Sequence, residues 1–321
     1  DLHSIRRRQR QMCIRDREGN WLLGMILFLL ANIGFAGGNV FYNALIKEIS
    51  TDETLGKVSG QGWALGYLGG FLALIIELIL ILNHDAFGLD KVFATRLSFL
   101  ITGIWWFVFG IPLFYKVEES HATKEKSELS LLEVVITLKK ALTYPALGLF
   151  LLAFFMYNDA VQTTISQAGN LAGEMLGMPL TDVMTAGIAI QFLAIFGSLL
   201  FLWIEKKWGT LFSLKLALVN WIFIMVWAML MTTSTEFYVL CMWVGLVMGV
   251  TQSGSRTLFG KFVPKDQSAR FYALYTVTDR ASAMIGPVFF GIAVNYLSIR
   301  WGIFPLLVMV IIGLFCLHLL H

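Results

Sequence analysis

Nine long apolar runs constrain this chain more than anything else in it. They lie at 21–46, 58–82, 95–115, 143–168, 182–204, 211–232, 236–257, 270–295 and 299–319. A hydrocarbon core about 30 Å thick takes about 20 apolar residues in a helix, and every run reaches that length. Inside lipid only helices and closed barrels satisfy all their backbone polar groups. Barrel strands alternate in hydrophobicity, whereas these runs are continuous. The expectation is an all-α membrane protein with nine transmembrane helices. The chain is 57% hydrophobic and only 14% charged, against about 25% charged in a soluble domain.

The loops give an orientation. Lys47 and Lys57 fall in one; Lys116, Lys124, Lys126, Lys139 and Lys140 in the next but one. Lys206 and Lys207 follow, then Arg256, Lys261, Lys265 and Arg270. The intervening loops, "NHDAFGLDK", "NLAGEMLGMPL" and "TTSTE", carry almost no basic residues. Lysine and arginine collect on the cytoplasmic side, so the first set is read as cytoplasmic. The leader "SIRRRQRQMCIRDR" then puts six arginines on the wrong side. Residues 1–18 are therefore read as a non-native leader and set aside.

Several functional classes are excluded. Cys13, Cys241 and Cys316 are too few and too scattered for a disulfide framework or a zinc site, and the five histidines include no pair at ligand spacing. No metal, cofactor or nucleic-acid partner is expected; the partners are a small-molecule substrate and the lipid bilayer.

The organisation follows from the longest polar connection. Residues 19–115 form a partial N-terminal bundle of three spans, 116–142 a cytoplasmic linker, and 143–321 a C-terminal six-helix bundle. Within the linker Leu131, Val135, Leu138 and Leu142 recur at helical spacing, Ser130 and Glu133 form a capping box, and Lys139 and Lys140 close the segment. This predicts a short amphipathic helix on the cytoplasmic surface. Gly62, Gly66 and Gly70, and Gly245, Gly249 and Ser253, are small-residue rows where helices can approach closely. Gly286 and Pro287 predict a bend in the eighth span.

Polar residues inside the spans are the candidates for chemistry. Lys215, Arg96 and Glu77 lie near span ends and can snorkel out of the lipid. Asn32, Asn39 and Asn43 share one face of the first span. The stretch "MYNDAVQT" places Asn158, Asp159, Gln162 and Thr163 deep in the fourth. A carboxylate there costs about 2.5–3.5 kcal/mol on insertion scales. Asp159, Thr163, Ser166 and Asn170 form a stripe toward the outer face, read as the wall of a water-accessible cavity. Removal from water disfavours a carboxylate's charge, so Asp159 is expected to take up and release a proton. Asn39, Asn43 and Gln191 complete the candidate substrate or proton pathway, although packing hydrogen bonds account equally well for each. Gln252, Arg256, Asp279 and Arg280 are read as a cytoplasmic gate.

These residues carry a resemblance. "GVTQSGSRTLFGKFVPKDQSARFYALYTVTDRASAMIGP" resembles a stretch of the major facilitator superfamily, in the branch of the autophagy-related vacuolar effluxers and their bacterial relatives. The matching positions are Gln252, Ser255, Arg256, Phe259, Pro264, Phe271, Tyr272, Leu274, Tyr275, Gly286 and Pro287. "NVFYNAL", "GWALGYLGG" and "YNDAVQT" resemble three more family stretches, in order. Lys47 and Arg270 depart from the pattern, and the acidic-basic loop survives loosely as Glu205, Lys206, Lys207 and Gly209. The resemblance implies a major facilitator-type helical bundle with nine of an expected twelve transmembrane helices, the first three lacking a counterpart. It also implies a secondary active transporter, not an enzyme, in a bacterial cytoplasmic membrane, monomeric if full length. The expected cargo is a small polar solute, amino acid-like, moved by alternating access with protons as candidate coupling ion. A non-transporting scaffold or fragment is the alternative, and behind it a membrane-embedded lipid-modifying enzyme.

Overall fold

The computed structural model describes residues 21–116, 131–264 and 267–320. All its regular elements are helical: α1 (Trp21–Glu48), α2 (Leu55–Leu82), α3 (Lys91–Lys116), α4 (Leu131–Leu142), α5 (Pro145–Leu176) and α6 (Leu180–Trp208). There follow α7 (Thr210–Leu230), α8 (Ser234–Phe262), α9 (Ser268–Ser282), α10 (Ile285–Tyr296), a 3-10 turn (Ile299–Gly302) and α11 (Ile303–His318). Nine stretches among the described residues are long and apolar enough to cross a membrane, as expected. The chain divides into two compact units, one ending at Asn43 and one running from Ala44 to His321. The leader 1–18 and Ser130 of the expected capping box lie outside the described residues.

The second unit is built on close helix crossings. α6 lies along α8, and α5 along α11. A Cβ added at Gly249 would run into the Ser198 backbone nitrogen and come within 2.5 Å of the Ala194 carbonyl oxygen. One added at Gly245 would lie 2.7 Å from the Ile190 carbonyl, and one at Gly197 would strike that of Leu246. The row at Gly245 and Gly249 is thus a helix contact, as read from the sequence. Aromatic rings tie α5, α8 and α9 together: Phe154 and Tyr275 stack at 4.5 Å, and Phe259 meets Tyr275 at 4.7 Å and Tyr272 at 5.1 Å.

The closest approaches of α2 fall elsewhere than at Gly66 and Gly70. Gly66 has nothing within 4 Å of an added Cβ, and Gly70 meets only the amide of Gln191 at 3.2 Å. Gly56 and Gly60 make the close approach, against the Glu205 carboxylate and the Leu202 side chain.

Three other local features settle the helix ends. α4 buries Thr137 and Ala141, and Lys140 Nζ donates to Gln267 Oε1 at 2.7 Å. Its Val135, Leu138 and Leu142 stay exposed, the arrangement of a helix lying in a membrane interface. Thr233 and Glu236 form a reciprocal capping box at the start of α8. Arg300 donates to the carbonyls of Met229 at 3.1 Å and Met231 at 2.9 Å, closing the end of α7.

The eighth span breaks where Gly286 and Pro287 predicted a bend. α9 ends at Ser282, Ala283 and Met284 form a turn, and α10 starts at Ile285. The fourth span, by contrast, runs well past the apolar run that located it, because α5 continues through the polar stripe to Leu176.

Candidate functional site

The break positions the site. A proline nitrogen carries no hydrogen, so Pro287 cannot bond back into the preceding turn, and helix geometry fails just before it. The amide of Gly286 is released and donates to Asp159 Oδ2 at 2.6 Å. Asp159 is fully buried and sits midway along α5, its second oxygen accepting from Thr163 Oγ1 at 3.4 Å. A carboxylate at a helix start is favoured by the backbone N–H groups and by the helix dipole. A larger residue at 286 would displace both partners, since an added Cβ would collide with Thr163 Oγ1 and lie 2.6 Å from Asp159 Oδ1.

Asn158, the preceding residue, reaches the other side of the break. Its Nδ2 donates to Asp279 Oδ1 and to Ser282 Oγ, both at 2.9 Å. Both amide hydrogens are used, which is the full donor capacity of the group. Asp279 also lies 3.9 Å from Arg280 Nε through its other oxygen. The structure thus brings Asn158, Asp159, Thr163 and Asp279 together around the break. Ser166 instead donates to the Thr163 carbonyl at 3.0 Å and Asn170 to Gln167 at 2.7 Å, both toward the end of α5.

The remaining expected residues are placed elsewhere. Gln162, Gln191 and Gln252 are half-buried and make no hydrogen bond among the described residues. Asn39 and Asn43 are half-buried on α1, in the first compact unit. A cavity of about 40 Å³, lined by Thr164, Ile190, Ile224, Cys241 and other apolar groups, lies beside the stripe. It is too small for a solute, given ligand pockets of about 300–1,000 Å³, and Asp159 is not in its wall. No group of three or more potential metal ligands occurs among the described residues.

Arg256 joins α8 to α2. Its Nε donates to Ser59 Oγ at 3.1 Å and its Nη2 to the Ser59 carbonyl at 2.7 Å. Ser59 Oγ in turn donates to the Ser253 carbonyl at 3.1 Å, and the guanidinium lies 5.3 Å from the Trp63 ring centre. The sequence placed Arg256 in the gate set with Gln252, Asp279 and Arg280 and missed Ser59, whose only signal was its place between Gly56 and Gly60. A second knot lies at the same end: Glu205 Oε1 accepts from Thr210 at 2.6 Å and from Lys261 at 3.2 Å. Arg256→Ala removes both bonds to Ser59. The expected result is faster labelling of a cysteine placed at Ser253, read with a thiol reagent applied to the basic face; unchanged labelling would show that this contact does not hold the end shut.

Comparison with known proteins agrees with this architecture. The family described as "Vacuole effluxer Atg22 like" matches residues 12–321. A Bacillus subtilis protein described as "Uncharacterized MFS-type transporter YxiO" is 29% identical over 301 residues, covering 92% of this chain and 70% of that protein. Autophagy-related protein 22 of Cryptococcus neoformans is 27% identical over 284 residues. That match takes in 81% of this chain but 49% of the fungal protein, so the chain spans about half of that relative's length. Among solved structures, FucP, a major facilitator superfamily transporter in the outward conformation, superposes with a TM-score of 0.67 at 12% identity. The match covers 88% of this chain and 72% of FucP.

Proposed function

The chain belongs to the family of Atg22-like vacuole effluxers, and from that premise we propose that it carries a small polar solute, amino acid-like, across a membrane by alternating access. The reading rests on one observation above the others, the seal at the basic end. There α2 meets α6 and α8 through Gly56, Gly60 and Ser59, held by Glu205, Leu202 and Arg256. Alternating access needs one end closed while the other is open, and the contacts at this end, read as cytoplasmic, support taking it as the closed one.

Asp159 is the group proposed to carry the coupling proton, being a buried carboxylate at mid-span in contact with a broken helix. The amides of Gln162, Gln191 and Gln252 are the groups left to recognise a solute, since no hydrogen bond among the described residues uses them. Amides can both donate and accept, which suits an amino acid. The Bacillus relative favours a bacterial cytoplasmic membrane as the location. The test is uptake into proteoliposomes under an imposed pH gradient, with pools of amino acids, short peptides and sugars. Amino-acid accumulation that collapses with the gradient is the expected result. Movement of sugars alone would overturn the cargo, and movement of none of the three the transport reading.

A further inference from the structure

Neither half of the broken span crosses a bilayer alone. α9 has 15 residues and α10 has 12; at about 1.5 Å per residue these are about 22 and 18 Å long, against a core about 30 Å thick. The turn at Ala283–Met284 therefore lies at membrane depth, where backbone groups released from a helix meet no water and must find partners in the protein.

Two consecutive residues of α5 reach the two sides of that turn, Asp159 by taking a released backbone amide and Asn158 by bonding two side chains. We propose that Asn158 and Asp159 act as a two-sided clamp on a hinge at Ala283–Met284, Asn158 holding the end of α9 and Asp159 the start of α10. Neighbours along a helix are turned by about 100°, which lets one helix grip two others. Asn158 reaches Asp279 and Ser282, the last turn of α9, while Ser282 Oγ itself donates back to the Asp279 carbonyl at 2.8 Å. Asp159 takes the Gly286 amide in the first turn of α10.

The halves also belong to different surroundings, as the parts of a hinge must. α9 is bound to α5 by the Phe154–Tyr275 stack, and Gln267, the residue just before its start, accepts from Lys140 of α4. α10 packs chiefly on the 3-10 turn and α11, with Phe290 and Val294 closed over Gly302. Release of one side of the clamp leaves its half attached to its own neighbours and free to turn against the other.

The clamp stands on this geometry and not on the transport reading, so it is tested without a solute. Hydrogen–deuterium exchange is measured on the full chain in lipid nanodiscs. Asp159→Ala is expected to speed exchange over residues 284–290 by about tenfold or more, the factor that a lost hydrogen bond to a charged group represents. Residues 270–282 should change little. Asn158→Ala should give the converse, with faster exchange confined to the end of α9. Thr163→Val and Ser282→Ala, milder changes on the same two sides, should reproduce the split weakly, and they decide the matter if either truncation also loosens the α6–α8 crossing. Equal loosening of both halves by either residue, or no loosening by any of the four variants, overturns the clamp.

Discussion

Asp159→Asn is expected to reduce proton-driven accumulation of the transported solute to background while leaving exchange of that solute across the membrane intact. The two outcomes separate because asparagine keeps one part of what Asp159 does and loses the other. Its carbonyl oxygen can still accept from the Gly286 amide, which lies 2.6 Å from the carboxylate, and its NH₂ can turn toward Thr163 Oγ1. The broken span therefore keeps its bonded contact to α5. What asparagine cannot do is gain or lose a proton, so a gradient has nothing to act on at this position. The measurement is paired: accumulation against a pH gradient, and exchange of labelled for unlabelled solute without one, in the same proteoliposomes. Accumulation at the parental level would move the proton to another carboxylate. Asp279 is then the next to neutralise, because it lies on the other side of the break and accepts from Asn158, the residue before Asp159.

How far this site could be read from the sequence depends on which group does the bonding. Asp159 was legible because a carboxylate inside an apolar run is costly wherever the helix goes. The break was legible too, since Pro287 lacks an N–H in any fold. That these two features meet was not legible: the partner of Asp159 is a backbone amide, and every non-proline residue carries one. Arg256 shows the same limit. The sequence set it beside Gln252, Asp279 and Arg280, while the fold supplies a serine hydroxyl and carbonyl from a helix nearly 200 positions away (the separation is 197). The glycine row of α2 was misplaced for a different reason. Gly56 and Gly60 have the same spacing as Gly62, Gly66 and Gly70, and spacing alone does not say which side of α2 another helix will occupy. Thr233 and Glu236 carry a capping signal that span hydrophobicity does not show, because it lies at the junction of two spans.

Gly249→Leu is expected to be the most damaging single change to the C-terminal helices, costing about 3 kcal/mol or more, at the upper end of over-packing effects. The obstacle at Gly249 is backbone on every side: the Ser198 nitrogen, the Ala194 carbonyl and the Gly197 carbonyl carbon. A side-chain neighbour could change rotamer, but a backbone neighbour moves only if α6 moves. Since Gly197 and Gly245 make equally close contacts along the same crossing, a shift that relieves one position opens the others. Without water outside the bundle, helices in lipid are held together largely by such contacts, so separation forfeits most of what joins α6 to α8. Cys241 and Cys316 are both buried and report the loss directly. With Cys13 replaced by serine, heating in the presence of a thiol-reactive dye should show the transition lowered by roughly 10 °C. Gly66→Leu, on a face of α2 where an added Cβ meets nothing within 4 Å, should leave it in place. If the two variants melt together, close packing at Gly249 is not what holds α6 to α8.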